Sequence, residues 1–274
     1  LLEGGPEGTS LTAEGVIFLN HATTIVEDYR SMTDEILSYR SSRIAASMEH
    51  LHITTTPYLS AVEMDRIWDI TSMDIASIRE LPLHRILEEI PASRPEDLFV
   101  ADLFLKTRRK IRETGNIGFE PVFATRIGII RSRAFPWDRE GLLRCSDVSE
   151  LPVAYTNDST NAGLVAYLFK NAPLKNACLQ SSSLKTLLEW VHGKKVVSLF
   201  DSFAFYRLQK MAPEEVRDLT FTPFADEEAI DTVGYLYRSD MPLSDVTRSS
   251  IANSRLIFSR DSADYLRQHP LPKD

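Results

Sequence analysis

Residues 153–161 read Val-Ala-Tyr-Thr-Asn-Asp-Ser-Thr-Asn, a short apolar run that turns into six consecutive hydroxyl, amide and carboxyl side chains. Such a cluster placed just before a helix suits the capture of an anionic group. The first helical turn leaves N–H donors unpaired and carries a partial positive charge. Ser159 and Thr160 would add hydroxyl donors to the same oxygens. The plain alternative is an N-cap from Asp158 or Ser159. Six polar residues exceed what one cap needs, and both readings stay open.

A second candidate closes the run 194–206, Lys-Lys-Val-Val-Ser-Leu-Phe-Asp-Ser-Phe-Ala-Phe-Tyr. Asp201 stands at the C-terminal end of a buried-looking strand and directly before a helix. Ligands of open α/β sheets lie beyond the carboxyl ends of the strands, so Asp201 is placed to meet a ligand ammonium or hydroxyl. Capping the helix is again the simpler alternative.

Other chemistry is thinly represented. His50 and His52 flank Leu51 with no third ligand at metal spacing, so no metal site is expected. Residues 182–185 match Ser-x-x-Lys without any companion motif, and Ser182 capping the next helix accounts for them. No Gly-rich phosphate loop occurs and no cofactor is expected. Glu227 and Glu228 fall in a charged surface turn.

A formal charge of −8 and a pI near 5.4 argue against a nucleic-acid partner, and the basic cluster at 106–112 reads as a solvated helix face. No apolar run reaches the roughly 18 residues of a membrane span, so no membrane insertion is expected. Cys145 and Cys178 permit one disulfide or two thiols. The start at Leu1 in a Gly-rich stretch reads as a processed terminus.

The elements that must position these groups follow from periodicity. Apolar spacings of three and four predict helix over 25–51, broken at Ser41 and Ser42 with Ser42 capping 43–50. Alternation predicts a strand over 66–71, and helical spacing returns over 96–113, ending at Gly115. Strands are predicted at 121–131, 152–156, 195–200, 219–224 and 231–238. Helices are predicted at 163–170, 184–191, 202–211 and 243–266. Alternation of this kind indicates a largely parallel sheet built of βαβ units.

Taken in order, these segments resemble the second lobe of the type II periplasmic solute-binding proteins, family 3-like. Residues 153–168 resemble that family's strand and Ser/Thr turn that holds a ligand carboxylate. Residues 181–190 and 196–206 resemble the segments leading to its strand and aspartate, and 119–132 its hinge strand. The resemblance spans 119–265. It implies a two-lobed α/β fold with a hinge, lobe one from 1–116 plus 213–274 and lobe two from 117–212. It also implies a small polar solute, amino acid or organic acid like, gripped between the lobes for transport or sensing, in a periplasmic or extracellular setting and with a membrane transporter or sensor subunit as partner. In lobe one the family has a strand, a Thr and an Arg three or four residues on. Here Thr71 matches, but the next arginine is Arg79, eight residues later, where pairing with Glu80 or Glu88 is the simpler role. The resemblance also leaves lobe one's first strand unfound, with 4–11 as a remnant of the loop after it. Trp68 and Trp137 join Tyr155 as candidate pocket walls. The competing functions are an enzyme on the same fold, a lyase or dehydratase using Asp201 or Asp158, and a protein-interaction module docking through the helical first third.

Overall fold

The computed structural model describes residues 1–5, 8–44, 50–60, 75–137, 139, 141–156, 159–181 and 183–269. The strand expected over 66–71 lies outside them, and with it Trp68 and Thr71. Asn157, Asp158 and Ser182 lie outside them as well. The chain separates into two units, Leu1–Met48 and Glu49–Asp274.

The first unit pairs strand β1 (Leu2–Gly5) with β2 (Gly8–Leu11) in an antiparallel hairpin, so 4–11 is not the loop remnant expected from lobe one. Helix α1 (Ala13–Ile44) follows, its first turn held by the Thr12 hydroxyl accepting from the Gly15 N–H at 3.0 Å. The expected break at Ser41 and Ser42 is absent, because serine inside a helix costs only a few tenths of a kcal/mol, about 0.5. Phe18, Ala22, Ile25, Tyr29, Met32 and Ile36 recur along α1 at alternating spacings of four and three, the seam of a coiled coil. All but Ala22 are exposed apolar or aromatic side chains.

The second unit runs β3 (Leu51–Thr55), β4 (Ile75–Glu80), α2 (Leu83–Glu89), β5 (Asp97–Phe104), α3 (Leu105–Thr114) and the long β6 (Ile117–Ser132). Then come β7 (Val153–Thr156), α4 (Ser159–Leu168), β8 (Ala177–Ser181), α5 (Leu184–His192), β9 (Val197–Asp201) and α6 (Ser202–Met211). The last elements are β10 (Leu219–Pro223), β11 (Ile230–Arg238), α7 (Asp245–Asp261) and α8 (Ala263–Gln268). The strands lie in the order β4-β3-β5-β11-β6-β9-β7-β8, with β10 also on β6. Pairings β3–β4, β3–β5, β7–β8 and β7–β9 are parallel, whereas β11 and β6 pair antiparallel with their neighbours. The sheet is therefore mixed rather than largely parallel.

Two sequence expectations fail for one reason. Residues 96–113 form a strand and then a helix rather than one helix. Leu51, expected to end a helix, begins β3. Strand β5 is buried on both faces from Leu98 to Leu103, so its apolar residues form a near-continuous run that periodicity cannot separate from a buried helix. Gly115 does end α3, with a φ of 71° that a glycine adopts without strain.

Strand β6 connects the two ends of the sheet. Ile117 to Arg126 pair with β11, whereas residues 127–130 pair with β9 and residues 128–132 with β10. Glycine is required within it at Gly128, where a Cβ would come 2.2 Å from the Thr222 carbonyl oxygen. Among the described residues, three apolar clusters pack the second unit. Ile86, Phe99, Leu103 and Leu236 centre one, Ile129, Val153, Val197 and Phe224 another, and Ile130, Leu187, Val191 and Phe200 the third. Each fully buried aliphatic side chain contributes about 1.5–3 kcal/mol, which keeps the strand ends that carry polar groups in fixed register.

Candidate functional site

Asp201 ends β9 and caps α6. Its Oδ1 accepts from the N–H groups of Phe203 and Ala204, each at 2.9 Å, and from the Thr125 hydroxyl at 2.7 Å. Its Oδ2 accepts from the hydroxyl of Tyr58, which follows β3. Burial pushes the Tyr58 phenol well above its ordinary range, and the Asp201 charge adds to this, so Tyr58 remains a donor. The cap reading of Asp201 holds, and four donors leave this carboxylate poorly suited to act as a base. Its neighbour Ser202 bonds the Tyr265 hydroxyl at 2.8 Å, and Tyr265 donates to the Ala124 carbonyl at 3.0 Å.

Strand register aligns further acids with this corner. Asp231 on β11 lies opposite Thr125 on β6, and Asp201 lies opposite Ile127, two residues along β6 on the same face. On the other side of β11, Asp102 of β5 lies opposite Val233, diagonal to Asp231. Asp102, Asp231, Thr125 and Asp201 thus form a row across four adjoining strands, and Asp102, Asp201 and Asp231 are all buried. Asp102 accepts from the Thr56 hydroxyl at 3.1 Å, and Asp231 accepts from the Thr232 N–H at 2.8 Å. Asp102 and Asp231 also come within hydrogen-bonding reach of each other, so one proton between them would relieve the repulsion of two buried carboxylates. Burial raises both, Asp231 well above its ordinary value, and repulsion from Asp102 adds to the rise of Asp231. Among the described residues no lysine, arginine or histidine forms a salt bridge with any of the three.

The row faces a narrow cavity of about 30 Å³, lined also by Tyr58, Thr125 and Tyr155. Beside it opens a chamber of about 440 Å³ between α2, α3 and α4, lined by Leu83, Leu87, Phe104, Gly163 and Tyr167, with Lys106 and Lys110 also bordering it. Asp102 and Leu164 line both spaces. A chamber of this size, mostly apolar with a few convergent polar groups, has the dimensions of a small-molecule site.

Of the residues singled out from sequence, Tyr155 and Asp201 come together at the cavity, and the Tyr155 hydroxyl accepts from the Gln180 amide at 2.7 Å. Ser159 and Thr160 begin α4, the helix whose Gly163 and Leu164 line the chamber. Arg79 lies on β4, donating from Nε to the Thr54 hydroxyl at 2.9 Å and pairing with Glu89. It lines neither space, and its ion-pair partner is Glu89 at the end of α2 rather than Glu80 or Glu88. Trp137 packs against the Ile129 cluster. Cys145 and Cys178 are both free thiols, with Cys145 pushed up to about 12 by burial and by Asp226. Sequence reasoning missed Tyr58, Thr125, Asp102 and Asp231. An aspartate inside an otherwise apolar strand, as in residues 97–104, was the available signal.

Solved structures of similar shape decide the architecture. The chain superposes on the C-terminal domain of a probable LysR family transcriptional regulator from Rhodococcus sp. RHA1 with a TM-score of 0.58, at 14% identity over 76% of this chain and 99% of that one. The fold is the two-lobed, type II periplasmic-binding-protein-like one. The BenM effector-binding domain with its effector benzoate matches at TM-score 0.58 and 13% identity, over 78% of this chain and 94% of that one. A single-site mutant of full-length BenM matches at 0.60 and 16% identity, over 96% of this chain and 82% of that one. No protein-family model matches the chain, and no curated protein matches it.

These likenesses correct part of the sequence reading. The two-lobed type II fold holds, whereas the narrower family 3 assignment has no match behind it. The expected periplasmic or extracellular location is overturned, because the matched chains are transcriptional regulators rather than extracytoplasmic binding proteins. Transport and a transporter partner lose their support for the same reason. Among the described residues no helix is long and apolar enough to cross a membrane.

Proposed function

We propose that this chain senses a small-molecule effector and that effector capture is coupled to transcriptional regulation. The observation that carries this reading is the 440 Å³ chamber bordered by α2, α3 and α4, joined through Asp102 and Leu164 to the polar row at the sheet. In this reading the lobes divide at residues 117 and 213, and β6, which exchanges β11 for β9 and β10 near Arg126, is the connection about which they move. Ser159, Thr160, Tyr155 and Asp201 stand on the second lobe's side. Ligand favours whichever lobe arrangement lets both sides touch it, and shifts the population by that differential affinity. Hydrogen bonding across the cleft, from Tyr58 to Asp201, is available to hold that arrangement.

The test is a thermal-shift screen of the chain against amino acids, amines, organic acids and sugars. A ligand present at about 100 times its Kd adds roughly 2.7 kcal/mol, which in a chain of this size raises Tm by several degrees. No shift across all four classes would refute the reading.

A further inference from the structure

We propose that the effector carries a positively charged nitrogen, a small organic amine or an amino acid whose ammonium group sits against Asp102 and Asp231 while its body fills the wider chamber. This deepens the sensing reading above and rests on it.

The cleft holds three buried carboxyl groups on one sheet face, and among the described residues no cation balances them. Of these, Asp201 is saturated by four donors, so the groups with capacity left are Asp102 and Asp231. A shared proton is the usual substitute for a missing counter-charge when two acids are buried together, and burial raises both of these. The cavity they face, about 30 Å³, admits an ammonium head, which is close to a water in size, and little more. Asp102 also borders the 440 Å³ chamber, so a head group in the small space continues directly into a body in the large one. At that chamber the titratable groups change sign. Lys106 and Lys110 border it, fitting a carboxylate at the outer end of an amino-acid ligand. A metal ion suits the row less well, since no group of three His, Cys, Asp or Glu among the described residues is arranged to hold one. The contrast with benzoate, the anion named as BenM's effector, is direct: an anion placed against this row would meet buried carboxyls with no donor cation.

Binding has a proton balance. The ammonium replaces the proton held between Asp231 and Asp102, and that proton leaves to solvent. Among the described residues the other titratable groups facing the pair are Tyr58 from the helical residues 57–60 after β3, Tyr155 of β7, Asp201 at the end of β9, and Tyr265 of α8, which lies behind Thr125 and Ser202.

The experiment is isothermal titration of the full 274-residue chain with L-lysine, L-arginine and putrescine, and separately with benzoate and succinate, in buffers of differing ionisation enthalpy. The proposal expects at least one of the three cations to bind with proton release. It also expects Asp102→Asn and Asp231→Asn each to weaken that binding at least tenfold. Should one variant fail to fold, the other and the buffer dependence of the unaltered chain still decide. Binding of benzoate or succinate with none of the cations overturns the cationic ligand and leaves the sensing reading standing. Cation binding that both asparagine variants retain overturns the assignment to this row. No binding by any probe, with a flat thermal-shift screen, overturns both.

Discussion

Asp231 and Asp102 lie diagonally across the antiparallel pair β11–β5, both buried, on a sheet face where no salt bridge reaches them among the described residues. Folding raises both, so the folded chain binds more protons than the unfolded one above the ordinary carboxylate value of 3.8. Their contribution to stability is therefore greatest at low pH and declines as pH rises from there through their folded values. Asp231→Asn keeps a donor toward Asp102 and removes the titration. Its Tm should overtake that of the unaltered chain by a few degrees between pH 6 and pH 9, where about 1 kcal/mol corresponds to roughly 2–4 °C. Parallel Tm–pH curves for the two proteins would show that the pair does not share a proton.

The Tyr58–Asp201 hydrogen bond joins the helical residues 57–60 that follow β3 to the end of β9. Tyr58→Phe removes the donor and should cost about 1–2 kcal/mol, measured by urea unfolding. Asp201→Ala removes the cap of α6 as well as the acceptor of Thr125 and Tyr58, and should cost more, roughly 2–4 kcal/mol. Equal losses in the two variants would mean that the cap contributes nothing beyond the tyrosine bond.

The seam of α1 presents Phe18, Ile25, Tyr29, Met32 and Ile36 to solvent at coiled-coil spacing. Such a stripe buries itself by pairing, and a second copy of the same helix offers the matching stripe. Light scattering should give a mass of at least twice the 31.0 kDa chain. The double substitution Ile25→Asp and Met32→Asp should return it to the monomer mass, and an unaltered chain that is already monomeric would dismiss the seam.

How much of this was legible beforehand depended on range. Strands β6, β7, β9 and β11 and the cap at Asp201 were readable because each rests on local alternation, β-branched residues or an acid just before a helix. β3 and β5 were not, because fully buried strands lose the alternation that marks them, and Asp102 was lost inside a false helix. The acidic row was invisible for a deeper reason. It exists only when residues 102, 125, 201 and 231 are brought into register by pairings between distant strands, and no local pattern encodes that register. The location and partner were misjudged because one fold serves both transport and sensing, so resemblance to it leaves the task undetermined.

The central claim is that ligand occupies the chamber beside α4, and Gly163 tests it most directly. A Cβ at Gly163 meets nothing within 4 Å, and the residue lines the chamber, so a large side chain there enters open space. Replacing a helical glycine by tryptophan relieves roughly 0.5 kcal/mol of propensity cost, so Gly163→Trp should fold at least as well as the unaltered chain. Thermal-shift titrations of both proteins with the most stabilising compound from the screen supply the measurement. The account predicts a rise of several degrees in the unaltered chain and almost none in Gly163→Trp. An equal rise in both would place the ligand elsewhere and contradict it.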